Sequence, residues 1–316
     1  MQRWLGLVQP VPLVAADPPA RRGHDAGLPA GAAMSDAGII LLLGASGPVG
    51  RCFIDRTAGK QVRVIAVSRR NPARSRPHVT WLQHDLENAP ADVRAGTLIS
   101  FGPLAHTLSQ VAQGIGLGRV IALSSASTLF KQHSADRAER RRIRALARCE
   151  VALADICRER GIVLTLLKPT LTYGGGSESD PVGRLAALAQ QRSILPYAGR
   201  GLRSPVHVDD LARLAVQCVI SGPSSEGSWL LGGAETLTYP ELLRRAAASQ
   251  GRPVRLLRLP AWLMKTLLRG AHLAGRMRDI RPVMIDRQCM DLVVDDTPAR
   301  ERLAWNPRPF RPDPGP

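Results

Sequence analysis

The chain has 316 residues, 44% hydrophobic, 22% charged and only 4% aromatic, the balance of a soluble globular protein with one large or two modest domains and an aliphatic core. Forty-three basic against 26 acidic residues give a net charge of +17, and every basic residue except Lys60, Lys131, Lys168 and Lys265 is Arg. That surplus favours anionic partners, or reflects a general bias toward Arg, Ala, Gly and Pro. Cys52, Cys149, Cys157, Cys218 and Cys289 are scattered and form no C-x-x-C pair, which argues against a disulfide framework or a zinc site and for a reducing, cytoplasmic compartment.

Residues 1–33 are rich in Pro, Ala, Gly and Arg without periodicity and read as a disordered leader. Arg3 and the apolar stretch Trp4–Ala16 faintly resemble a secretion signal, but Gln9, Pro10 and Pro12 interrupt it. Met34 just ahead of the first strand is an alternative start. No apolar run anywhere reaches the roughly 18 residues of a membrane span.

From Ile39 short apolar runs alternate with helical stretches. Strands are predicted at Ile39–Leu43, Val62–Val67, Val79–Leu82, Thr97–Phe101, Arg119–Leu123 and Ile162–Leu167, with a long helix over Ala135–Arg160. This alternation predicts an α/β fold, a Rossmann-type doubly wound parallel sheet. A strand-then-helix unit follows at Val206–Ile220, then helices at Tyr239–Gln250 and Pro260–Gly275. Residues 34–220 are expected to form the dinucleotide-binding domain and residues 221–316 a smaller substrate or lid domain.

Gly44, Gly47 and Gly50 follow the first strand and open a helix. In that context the first glycine permits the tight turn, the second lets a pyrophosphate approach the backbone, and the third lets helix and strand pack closely. Pro48 suits the first helical turn, and the helix N-terminus favours phosphate. Gly44, Ser46, Gly47, Pro48, Val49 and Gly50 are therefore expected to line the cofactor. At the end of the second strand stand Arg69 and Arg70, followed by Arg74, with no acid. A guanidinium there matches the 2′-phosphate of NADP, whereas NAD calls for a carboxylate. NADP is the expected cofactor, NAD the alternative.

The G-x-x-G-x-x-G spacing resembles the extended or atypical short-chain dehydrogenases/reductases, the branch that holds nucleotide-sugar epimerases and dehydratases. From Ile39 onward other segments carry the same resemblance. Asp85-Leu86 is similar to the family's adenine-contacting turn, and Ser100-Phe101-Gly102 to its small-residue turn along the cofactor. Ser124 and Ser125 resemble its serine-rich strand end, and Lys168-Pro169 through Tyr173-Gly174 its R-P-x-x-x-Y-G turn beside the nicotinamide. The segment Gly201–Ala212 resembles R-x-x-x-H-V-x-D-L-A, which puts on Arg203 the arginine that contacts the substrate diphosphate. The alternative is a surface arginine. Asp209 or Asp210 is expected to cap the helix that follows, and His207 to be a structural strand residue. The closing Trp305–Phe310 segment is expected to pack.

The family's catalysis implies a Ser/Thr–Tyr–Lys arrangement with Tyr and Lys one helical turn apart. This chain has no Y-x-x-x-K. Counted back from Glu150, Arg142 takes the tyrosine position and Leu146 the lysine position, while Ala126 takes the serine position. Arginine cannot exchange protons near neutrality. Ser125 and Tyr173 are the catalytic candidates that remain, with Lys131 and His133 behind them.

Two functions stay open. One is an NAD(P)-dependent oxidoreductase or epimerase-like enzyme acting on an anionic, nucleotide-sugar-like substrate. The other is a catalytically silent NADPH-binding sensor or assembly factor. A homodimer through the long helices is the family's habit, opposed here by an Arg-rich helix face. Spread-out basic residues without interleaved aromatics argue against nucleic acid. The basic amphipathic stretch Pro260–Arg278 either covers the substrate pocket or touches an anionic membrane.

Overall fold

A computed structural model describes residues 38–70, 76–114, 116–176, 180–251, 254–277 and 280–312. The chain divides into two units, Met1–Ala33 and Met34–Pro316. The leader and Arg74 lie outside the described residues; the elements below all belong to the second unit.

Strand β1 (Ile39–Leu43) feeds α1 (Pro48–Thr57), and β2 (Arg63–Ser68) and β3 (Val79–Gln83) follow. Next come β4 (Thr97–Ser100), α2 (Leu104–Gln113), β5 (Arg119–Leu123) and the short α3 (Ser127–Phe130). Helix α4 (Arg137–Glu159) starts two residues later than the sequence suggests. Asp136 caps it, its carboxylate accepting from the Ala138 and Glu139 N–H groups. Strand β6 (Val163–Pro169) precedes β7 (Thr172–Tyr173), α5 (Pro181–Gln191), β8 (Ile194–Tyr197), β9 (Leu202–Arg203) and β10 (Val206–His207). After α6 (Val208–Ser221) come β11 (Gly227–Leu231), β12 (Leu237–Thr238), α7 (Tyr239–Ala248) and β13 (Arg255–Arg258). Helices α8 (Ala261–Leu273), α9 (Pro282–Arg287) and α10 (Thr297–Leu303) complete the order.

Seven strands form one parallel sheet in the order β11-β6-β5-β4-β1-β2-β3. The order reverses between β1 and β4, and the carboxyl ends of the strands at such a reversal are the usual ligand position of doubly wound sheets. Helices cover both faces, so β1 is apolar throughout: Ile40 and Leu42 pack toward α1 and α6, Leu41 and Leu43 toward α2 and α4. The seventh strand, β11, comes from beyond residue 220 and pairs with β6 from Gly227↔Thr165 to Leu231↔Pro169. The predicted strand at Val206 is only two residues long and pairs with β7, outside the main sheet.

The remaining elements pack in smaller clusters. Tyr173, Val182, Leu237, Leu242 and Phe310 form one, and Ala198, Leu268 and Ile285 another. Trp305 is 3% exposed and its indole N–H donates to the Gly232 carbonyl at 2.9 Å, which accounts for the packing expected of the closing segment. Among the described residues no helix is long and apolar enough to cross a membrane.

Candidate functional site

The site is built at the β1–α1 turn. Gly44 has φ +72°, open to glycine at little cost. A Cβ there would stand 2.6 Å from the Gly102 nitrogen and 2.7 Å from the Phe101 carbonyl carbon. The loops after β1 and β4 therefore touch backbone to backbone. A Cβ at Gly50 would lie 2.4 Å from the Gly44 oxygen, so the first turn of α1 is pressed onto the loop. Gly47 donates its N–H to the Gly44 carbonyl at 3.0 Å and is the N-cap of α1, with Pro48 behind it. No side chain among the described residues caps this helix start. The dipoles of an uncapped helix start and a surface of glycines are able to receive an anion such as pyrophosphate. Val49 anchors the turn in the core, while Ser46 is exposed. Arg51 donates to the Ser46 carbonyl at 2.8 Å and to the Gly175 carbonyl at 3.3 Å, joining the β1–α1 loop to the segment after β7.

The other expected cofactor residues lie along the same carboxyl edge, with varied freedom. Arg69 and Arg70 follow β2, exposed and without an ion pair among the described residues. Asp85 accepts from the Glu87 N–H at 3.1 Å, and Leu86 packs against the α2–α4 core. Ser100 is 1% exposed and its hydroxyl receives the Thr107 hydroxyl at 2.7 Å. Phe101 packs its ring on Phe53 at 5.7 Å. The Pro169 carbonyl accepts the Ala126 N–H at 2.9 Å, which joins the ends of β6 and β5.

Sequence reasoning singled out Ser124 and Glu150 separately and missed what joins them. The Ser124 hydroxyl donates to Glu150 Oε1 at 2.5 Å, and Lys168 Nζ donates to Glu150 Oε2 at 2.7 Å. All three are largely withdrawn from solvent. A lysine on a strand and a glutamate on a helix 18 residues earlier share no periodicity, so only the fold reveals the pair.

The structure does not gather the two catalytic candidates into one constellation. Ser125 Oγ accepts the Ser127 N–H at 3.1 Å, at the start of α3. Tyr173 is 1% exposed, its ring edge-on to His207 at 5.1 Å and to Phe310 at 4.8 Å. Its hydroxyl contacts the Pro309 carbonyl and the Arg311 N–H. Arg142 is exposed and Leu146 packs into the core, so neither replaces the missing pair.

Arg203 is 6% exposed rather than a surface arginine. Its Nη1 donates to the Leu202 and Met290 carbonyls at 2.6 and 2.7 Å, and Nη2 to the Arg287 carbonyl at 2.5 Å. Its guanidinium lies 5.6 Å from the Tyr239 ring centre, and burial lowers its pKa. Next to it Lys131 Nζ stands 3.9 Å from Glu139, which also binds Arg287. Burial pushes the Lys131 ammonium down from the usual lysine range; Arg287 pushes the same way, Glu139 opposes, and Arg203 and Arg142 add to the lowering. Several cations thus surround a single carboxylate, and Arg281 binds Asp136 at 2.5 Å beside them. His133 is exposed.

The helix-cap reading of Asp209 and Asp210 is corrected. His207 is the N-cap of α6, its Nδ1 accepting the Asp209 N–H at 3.1 Å. Asp209 instead takes Arg56 at 2.5 Å and also Arg308. Arg56 and Arg308 hold its carboxyl down at about 2, against the opposing effect of burial. Asp210, 1% exposed, accepts both the backbone and side chain of Arg308. Both carboxylates tie the C-terminal segment to α6, and Asp209 also joins α6 to Arg56 of α1.

No protein-family model and no curated protein matches the chain. Solved structures do. UDP-N-acetylglucosamine 4-epimerase from Bacillus cereus is 12% identical, with a TM-score of 0.62 over 86% of this chain and 92% of that one. UDP-glucose 4-epimerase from Thermotoga maritima, solved with UDP-glucose, is 16% identical, with a TM-score of 0.60 over 86% and 94%. UDP-glucuronic acid 4-epimerase from Bacillus cereus, solved in complex with NAD, is 13% identical, with a TM-score of 0.63 over 86% and 94%. At these identities the likeness is one of fold: the chain has the α/β architecture of these epimerases over most of its length.

Proposed function

We propose that the protein binds a nicotinamide dinucleotide at the carboxyl ends of β1 and β4 and acts as an NAD(P)-dependent oxidoreductase or epimerase-like enzyme on an anionic, nucleotide-sugar-like substrate. The observation that carries this reading is the β1–α1 turn. Gly44 and Gly50 leave no room for a Cβ, and the uncapped start of α1 faces the switch point of the sheet. Such a cofactor supplies a hydride acceptor or donor. In this reading residues 34–220 hold the dinucleotide and residues 221–316, β11 apart, form the substrate side.

Arg69 and Arg70 support NADP over NAD, because two exposed guanidinium groups, without an ion pair among the described residues, follow β2, the strand end from which doubly wound sheets select between the two cofactors. The NAD held by the similar Bacillus cereus epimerase supports the opposite choice. For the substrate, Lys131 and Arg287 offer positive charge to an anion, and the buried Arg203 fixes the carbonyls around α9 that position Arg287. Burial lowers the pKa of Lys131, which stands beside Arg203 and Arg287, while the Tyr173 hydroxyl faces the C-terminal segment. That same placement of Tyr173 favours the second reading, a dinucleotide-binding protein without turnover.

The deciding experiment titrates the full chain with NADPH and NADH at matched ionic strength, with Arg69→Ala alongside, then follows nicotinamide absorbance on adding UDP-sugars. Tighter NADPH binding that weakens in the variant supports the 2′-phosphate reading; equal affinities remove it. Binding without any absorbance change selects the second reading. Failure to bind either dinucleotide overturns both.

A further inference from the structure

We propose that the outer face of α8 docks on an anionic lipid bilayer. The helix is held by its inner side: Leu268 is 5% exposed and packs with Ala198 and Ile285, with Met264 beside them. Nothing among the described residues covers its outer side. Trp262, Thr266, Arg269, Gly270 and Leu273 are exposed and recur at i, i+4, i+7, i+8 and i+11, one stripe of a helix. Trp262 is 69% exposed, Leu273 91%, and Leu267 on the flank 58%. Met277 and Met284, just beyond, are exposed as well. Isolated surface hydrophobics are ordinary; a tryptophan and a leucine in one stripe with a second leucine on its flank, all this exposed, mark an interaction surface.

Charge selects the occupant. From Arg255 to Arg287 the sequence has eight basic residues against two acids, Asp279 and Asp286. Asp286 is engaged by Lys265. Arg255, Arg258, Arg269 and Arg276 have no ion pair among the described residues, and α8 itself contains no acid. A second copy seated on this face would set one acid-free, arginine-bearing surface against another of the same charge. An anionic bilayer meets both requirements. Its headgroups draw the arginines, while Trp262, Leu267 and Leu273 enter the interfacial region, where an indole is well accommodated. The inference is independent of the cofactor reading.

The test uses the full chain with vesicles of phosphatidylcholine alone and with about one-third phosphatidylglycerol. The expected result is sedimentation with the anionic vesicles only, with a blue shift of tryptophan emission that Trp262→Phe reduces. Leu267→Ser/Leu273→Ser removes only exposed side chains, so it should melt like the parent yet bind the anionic vesicles at least about tenfold more weakly. Arg269→Ala/Arg276→Ala should lessen the preference for the anionic lipid. Three results overturn the proposal. The parent chain fails to bind the anionic vesicles; the Leu267→Ser/Leu273→Ser variant binds like the parent, so that overall charge alone is responsible; or the chain self-associates without lipid in a way that variant abolishes.

Discussion

Replacing Gly44 by alanine tests the central feature of the site. Two costs combine there. The left-handed φ of +72° penalises an L side chain by about 1–2 kcal/mol. The new Cβ would also meet the Gly102 nitrogen at 2.6 Å and the Phe101 carbonyl carbon at 2.7 Å, both backbone atoms held in the loop after β4. Separating the two loops strains the core by about a further 1–3 kcal/mol. Gly59 provides the control, since it has φ +75° but open space, with nothing within 4 Å of where a Cβ would stand. Gly59→Ala should incur only the first cost. The expected order by urea unfolding is parent, then Gly59→Ala, then Gly44→Ala, the last lower by roughly 2–5 kcal/mol. Dinucleotide affinity, read by NADPH fluorescence, should fall at least about tenfold in Gly44→Ala and stay unchanged in Gly59→Ala. Equal stability of the two variants would show that the loops after β1 and β4 do not approach as described, and the anion-binding reading of the turn would fail with it.

Three further outcomes rest on named contacts. Lys168→Met leaves Glu150 withdrawn from solvent without its cation and should destabilise the fold by about 3 kcal/mol in thermal or urea melts, more than removal of an exposed lysine such as Lys60. Tyr173→Phe removes the hydroxyl that meets the Pro309 carbonyl and the Arg311 N–H, so it should lower stability by about 1 kcal/mol in urea melts and leave any turnover intact; loss of turnover without loss of stability would restore Tyr173 as an acid/base candidate. Asp209 has its pKa lowered to about 2 by Arg56 and Arg308, so its stabilisation is fully present above about pH 4 and is lost as the pH falls toward 2. Asp209→Asn should thus unfold earlier than the parent at pH 7, by about 1–2 kcal/mol after allowance for partial exposure. The gap should narrow in urea melts below pH 4, and one independent of pH would remove the ionic explanation.

The main sheet was legible because burial on both faces forces runs such as Ile39–Leu43 and Arg119–Leu123 to be apolar throughout. The glycine turn was legible from its spacing after a strand, and Gly47 and Gly50 answer to steric demands within the same seven residues, whereas Gly44 is pressed by Phe101 and Gly102 of the distant loop after β4. Long-range partners were not. Arg56, Asp209 and Arg308 are each ordinary in sequence, and nothing local foretells that they meet. Arg203 was singled out for its position, but its engagement with carbonyls at 202, 287 and 290 depends on where α9 ends. Asp209 and Asp210 had the right type for a helix cap, yet arginines distant in the sequence claimed both, and His207 took the cap instead.

The closing segment has a consequence for how the molecule assembles. Trp305 bonds to Gly232, Arg308 to Asp209 and Asp210, and Phe310 stacks on Tyr173, so these late residues touch parts of the chain about 70 to 140 positions earlier. While they are still inside the ribosome, the β11 edge and the Tyr173 cluster lack part of their cover. Final consolidation therefore waits until residue 310 has left the ribosome, with part of the apolar surface uncovered until then.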